Sequence, residues 1–149
     1  MSKIIGNSLP QEIVDLFNKE LTTVVLSTLS TEGYPHAMPV HLLFAPNNKT
    51  IRMALMKTHQ TTENIKKHSK VFITVLEGTD IAMGIKGTAK VIKDTMDGNK
   101  AMCMIEINVE QIKSDTTPTV IVNEGIKIKH RSPKTASFFR TMFDELYKC

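Results

Sequence analysis

The apolar positions change period along the chain, and each change marks an element. Ser8-Leu9-Pro10-Gln11 has the form of a capping box, and Ile13, Leu16 and Phe17 follow at helical spacing, so a short amphipathic helix is expected there. Leu21 to Leu29 (LTTVVLSTL) is β-branched and apolar and reads as a strand. Ser30-Thr31-Glu32-Gly33 supplies a turn in which Gly33 takes positive φ, and the return strand is Tyr34 to Phe44. Pro46-Asn47-Asn48-Lys49 is a second turn, followed by a strand from Ile51 to Met56.

Glu63 to His68 then offers a helix of about two turns, and Lys70 to Leu76 (KVFITVL) returns to strand character until Gly78 breaks it. Ile81 to Ile92 alternates apolar and polar residues around Gly84 and Gly87, which predicts a long, bent or bulged strand. Asp94 to Gln111 carries Met102, Ile105 and Val109, with Ile112 just beyond, in the pattern of a helix lying on a sheet. Thr119 to Val122 (TVIV) looks like one more strand. Ser132-Pro133 caps a final helix with Phe138, Phe139, Met142, Phe143 and Leu146 on one face. About six strands in hairpin order, with flanking helices, predict an antiparallel barrel or sandwich rather than a βαβ sheet.

Composition narrows the class. A chain of 149 residues with 41% hydrophobic content fits one domain, 1–149, with a sizeable core. Nineteen Lys and Arg against fifteen Asp and Glu give a net charge of +4, with a local basic excess at 127–134. That balance permits anionic partners without demanding them. Cys103 and Cys149 form no CxxC pair, and no signal peptide or long uncharged apolar stretch opens the chain, so a cytoplasmic protein with no membrane partner is expected.

The junction after the strand ending at Met56 concentrates hydroxyls and cations: Lys57-Thr58-His59-Gln60-Thr61-Thr62. The first N–H groups of a helix lack intrahelical partners and carry the positive end of its dipole, so they attract an anion such as a phosphate. Thr61 and Thr62 would add hydroxyl donors, and Lys57 and Lys66 charge. The alternative is that Thr61 or Thr62 is simply the helix N-cap, with Lys57 and His59 solvated.

The order of these segments resembles the FMN-binding split-barrel superfamily. That superfamily includes pyridoxamine 5′-phosphate oxidases, small FMN-binding proteins of anaerobic bacteria and nitroimidazole-resistance proteins. The residues that carry the resemblance are Pro35, His36, Pro39 and Val40, the Thr/Lys junction, Asn64, Ile65 and Val71, and then Gly84 and Gly87, all within residues 21–93.

The resemblance implies a six-stranded antiparallel split β-barrel of Greek-key type, paired as a homodimer with two FMN molecules between the subunits. Carried over by position, Lys57, Thr58, Thr61 and Thr62 would hold the phosphate. Met38, Pro39, Val40 and His41 would flank the ring or ribityl chain, and Leu55 and Met56 would present backbone groups. The implied activity is oxidoreductase chemistry, passing hydride or electrons from a reduced donor through FMN to a small acceptor. A non-enzymatic FMN electron carrier, or a deazaflavin or haem barrel, are the alternatives. His59-Gln60-Thr61 and Met38 stand where the oxidases carry basic phosphate ligands, and the oxidases' C-terminal substrate-binding cations have no clear equivalents.

Other constellations point elsewhere less well. The five histidines include no i, i+4 helical pair and no accompanying Cys pair, so no metal centre is expected. Cys103, between Met102 and Met104, reads as a buried small hydrophobe in mid-helix. Aromatic residues at 5%, with no Trp, argue against a nucleic-acid-binding barrel. Ile126 to Arg131 reads as a solvated edge strand protected by lysines, or as a reach towards a partner's cofactor or an acidic substrate.

Overall fold

The computed structural model describes residues 2–149. Eight strands and three helices follow in chain order: β1 (Lys3–Gly6), α1 (Gln11–Phe17), β2 (Val24–Leu29), β3 (Pro35–Val40), β4 (Leu43–Asn47), β5 (Thr50–Met56), α2 (Gln60–Lys67), β6 (Lys70–Glu77), β7 (Ile81–Lys93), β8 (Met102–Ser114) and α3 (Pro133–Lys148). Every strand pair is antiparallel, and the sheet runs β3-β2-β6-β7-β8-β5-β4, with β1 added alongside β8. The two ends of that order, β3 and β4, are joined only by His41-Leu42 and do not pair. The curled sheet is therefore a split barrel.

Strand alternation divides the apolar residues between two cores. Ile51, Met53 and Leu55 of β5 point into the barrel with Cys103, Ile105, Ile107 and Val109 of β8. Ala54, Met102 and Met104 point the other way, against Phe139, Met142 and Leu146 of α3. Phe44 meets Phe143 and Tyr147 edge-on at 5.9 and 5.2 Å between ring centres. Arg52 Nη1 donates to the Leu146 carbonyl at 3.1 Å, so a cation satisfies the last turn of α3.

Several expectations are corrected. The segment expected as a helix from Asp94 to Gln111 contains β8 instead, and Cys103 lies in that strand, buried and unpaired in a disulfide. Residues 105, 107 and 109 obey period two; the first four residues of β8 are all buried because α3 covers their outer face, and that hid the alternation. Thr119 to Val122 is not a strand: Val120 and Ile121 are exposed, and no neighbouring strand accepts their backbone. Residues 126–131 form no edge strand either.

Smaller differences fall at element ends. Pro10 occupies the N-cap of α1 with no side-chain cap, so Ser8 forms no capping box. Leu21 has φ 69° and starts no strand; β2 begins at Val24. The return strand splits at His41-Leu42 into β3 and β4, which places the break at the barrel's open seam; with β1 and β8 added and Thr119 to Val122 lost, the expected six strands become eight. The capping residue of α3 is as expected, since Ser132 accepts from the Thr135 amide and Pro133 follows in the first turn. Gly33 has φ 87°, as its turn requires, and β7 is bulged at Lys86/Gly87 and Val91/Lys93.

Candidate functional site

The seam between β3 and β5 holds a cavity of 220 Å³. The chain builds it from two strand ends: Met38 to Leu42 on one side and Ala54 to Met56 on the other, with Met102 behind them. His59, the N-cap residue of α2, completes the wall. The cavity therefore opens directly onto the start of a helix.

That helix start has unused polar capacity. The first amides of α2 have no partner within the helix, and no side chain caps them. Thr61 Oγ1 and His59 Nδ1 are buried with no hydrogen-bond partner among the described residues. A buried polar atom left without a partner costs about 1–3 kcal/mol, and native proteins rarely leave two so close in sequence. The donors and the helix dipole suit a phosphate.

Of the ten residues expected to hold a cofactor, Met38, Pro39, Val40, His41, Leu55 and Met56 line this one cavity. Lys57, Thr58, Thr61 and Thr62 do not. Lys57 turns its ammonium to Thr95 Oγ1 at 2.5 Å, while its amide donates to the Ala101 carbonyl. Thr58 is exposed. Thr62 is wholly buried, and its hydroxyl donates to the Met56 carbonyl at 2.8 Å, which ties α2 to the end of β5. Lys66 pairs with Glu63 on the helix surface.

Sequence reasoning did not find Leu42, Ala54, His59 and Met102 as wall residues. Leu42, Ala54 and Met102 are ordinary strand hydrophobes whose role depends on which strands become neighbours. His59 carried a signal, because it sits at the switch from strand to helix period. Asn64, also fully buried, donates to Thr28 Oγ1 at 3.0 Å and anchors α2 on β2.

His41 has one open side, but partial burial of its ring holds the imidazole below the usual histidine range, so it is neutral at neutral pH. Its Nδ1 lies 3.5 Å from Thr23 Oγ1. Burial pushes the Cys103 thiol up, which makes it an inert packing group.

An antiparallel barrel left open between β3 and β4, with a cavity at the seam and an unpartnered helix start beside it, is the split-barrel class. Residues 9–127 match the pyridoxamine 5′-phosphate oxidase family, and the chain belongs to that family. No curated protein matches it. Among solved structures, a candidate pyridoxamine 5′-phosphate oxidase from Lactobacillus delbrueckii aligns with TM-score 0.64 and 23% identity, over 75% of this chain and 98% of that one. HupZ from Group A Streptococcus aligns with TM-score 0.62 and 19% identity, over 81% and 99%. HutZ, the heme storage protein from Vibrio cholerae, aligns with TM-score 0.55 and 14% identity, over 70% and 92%. At these identities the likeness is one of fold.

Proposed function

We propose that this protein is a homodimeric FMN-binding oxidoreductase that works in the cytoplasm. The observation that carries the reading is the continuity of the seam cavity with the uncapped start of α2, through His59. An apolar ring suits the walls of Met38, Val40, Leu55 and Met102, and a phosphate suits the free amides, Thr61 Oγ1 and His59 Nδ1. Bound FMN would supply hydride and electron transfer between a reduced donor and a small acceptor.

The chain's own residues contribute orientation and field. Thr62 ties α2 to the end of β5, which keeps the helix start, at His59, beside the cavity. Neutral His41 gives a polar wall without a competing charge. The cavity of one chain, at 220 Å³, is below the about 300–1,000 Å³ usual for ligand clefts, which supports completion by a second copy. An adjoining cavity with room for a substrate supports an enzyme over a pure electron carrier.

The test is a visible spectrum of the purified protein, before and after titration with FMN, with size exclusion on the same sample. The two flavin bands at one FMN per chain on a dimer are expected. A Soret band with added haem, saturable binding of a deazaflavin but not FMN, or a monomer indifferent to all three would each overturn the reading.

A further inference from the structure

The walls of the seam cavity carry no permanent charge. Of the described residues that line it, none is Lys, Arg, Asp or Glu, and the two that titrate are His41 and His59. The basic side chains around it are committed elsewhere. Lys57, just past the end of β5, turns its ammonium to Thr95 Oγ1, and Lys66 pairs with Glu63. Lys129 and Arg131 line the adjoining cavity, over an apolar floor of Leu21, Leu42 and Phe139.

A phosphate group carries about −1.5 to −2 charges at neutral pH, whereas a helix start offers about half a positive charge. The free amides of α2 and Thr61 Oγ1 can satisfy phosphate oxygens, but they leave most of that charge unmatched. Histidine is the side chain whose charge changes between about pH 5 and 8. His59 stands immediately before the first turn of α2, in the cavity wall, with Nδ1 buried and without a partner among the described residues. A protonated imidazole donates from both nitrogens, so a phosphate oxygen at Nδ1 would meet a hydrogen bond and a cation at once.

The other ionisable groups packed around α2 leave that role to His59. His36 of β3 sits opposite Thr28, which accepts from Asn64 one turn further along the helix, and it is not in the cavity wall. Burial keeps the His41 ring neutral to lower pH than usual. β2 has no titratable side chain. β8 brings Cys103, whose thiol burial pushes up, and Asp94, just past β7, acts on that thiol. On β7, Lys86 and Lys90 are exposed, and Lys93 is held by Asp97 and Glu145 at 3.0 Å each. Lys67 and His68 lie at the far end of α2.

We propose that His59 is the ionic partner of the bound phosphate and takes up a proton as the phosphate binds. Binding that takes up a proton tightens as pH falls, so this chain holds its ligand more firmly at neutral than at alkaline pH. A grip built on arginine would not change over that range. The inference rests on the reading that a flavin phosphate occupies the start of α2.

Titrations with FMN and riboflavin from about pH 8.5 to about pH 7 test it, because a phosphate with its second pKa near 6 keeps its charge there. The wild type should tighten for FMN by about fivefold or more, against about thirtyfold for one whole proton, while riboflavin stays flat. His59→Gln should be flat at the weak alkaline value, His59→Arg flat and tight, and Lys57→Met should keep the wild-type slope. A flat wild-type profile, a slope that survives in His59→Gln, or one that Lys57→Met removes overturns the inference and leaves the FMN reading standing. Ring-proton NMR with inorganic phosphate separates the two ideas. If FMN does not bind but phosphate saturably raises the titration midpoint of the ring missing from His59→Gln, the proton-linked site stands and the flavin reading falls. If neither ligand acts, both fall.

Discussion

Asp80 and Val122 hold each other through two hydrogen bonds: the Asp80 amide donates to the Val122 carbonyl at 3.1 Å, and the Val122 amide donates to Asp80 Oδ1 at 2.9 Å. Asp80 and Thr79 both have left-handed backbones, φ 60° and 63°, as a tight hairpin between right-twisted strands demands. One turn residue therefore closes β6 onto β7 and fastens the segment that leads to the basic residues 127–131.

Removing that carboxylate should free the segment. Asp80→Gly and Asp80→Ala are both expected to speed amide exchange at Val122. Asp80→Ala should also be less stable than Asp80→Gly by about 1 kcal/mol, since only glycine adopts this φ without cost. Unchanged exchange at Val122 in both variants would show that the two bonds do not hold the segment.

Glu145 gives a pH dependence with a definite sign. Burial alone would raise its carboxyl, but the amides of Asp97 and Gly98 and the Lys93 ammonium outweigh that and hold it below the usual carboxylate range. Its contribution is present above the unfolded value of about 4.3 and is lost as pH falls through the lower folded value. Glu145→Gln should cost about 1.5–3 kcal/mol at neutral pH and flatten the stability curve on the acid side, read by denaturant melts from pH 7 down.

Thr61 and Thr62 should separate by what each hydroxyl does. Thr62→Val breaks the bond to the Met56 carbonyl and should cost about 1 kcal/mol of stability without any ligand. Thr61→Val removes a hydroxyl that has no partner, so the apoprotein should be as stable as wild type or more so. Thr61→Ala with Thr62→Ala should weaken FMN by about 1–3 kcal/mol in a flavin titration. Wild-type FMN affinity in that double variant would remove the phosphate site.

His41 reports on the cavity it shares. Because partial burial lowers its pKa, the folded state favours the neutral ring; its stabilising effect is full above the unfolded value of about 6.5 and falls away as pH drops through the folded value. The ring proton signal in an NMR titration should move at lower pH than in an unfolded control. A midpoint at or above the control would contradict the burial.

The junction at Met56 to Gln60 was readable from sequence because the apolar period changes there and nothing else competes. β8 was not. Met102, Ile105 and Val109 fit a helix as well as Cys103, Ile105, Ile107 and Val109 fit a strand, and only the packing of α3 on Met102 and Met104 decides between them. The exposed TVIV segment shows the converse, since β-branched residues make no strand without a neighbour to pair with. Of the residues that line the seam cavity, Met38 to His41 and Leu55 to Met56 were named from the family resemblance, while Met102 became a wall residue only when β8 was laid beside β5. The cations at 129–131 were visible as charge, but their apolar floor comes from Leu21, Leu42 and α3, far apart in the chain.

The seam strand β3 has a last consequence. Two of its six residues, Pro35 and Pro39, have no amide hydrogen to give, and β3 is the terminal member of the sheet. A strand laid along β3 from outside would find no amide donor at these two positions. The same two rings blunt β3 against edge-to-edge growth into fibres, so Pro35→Thr with Pro39→Thr should raise the tendency to form open-ended polymers, read by light scattering.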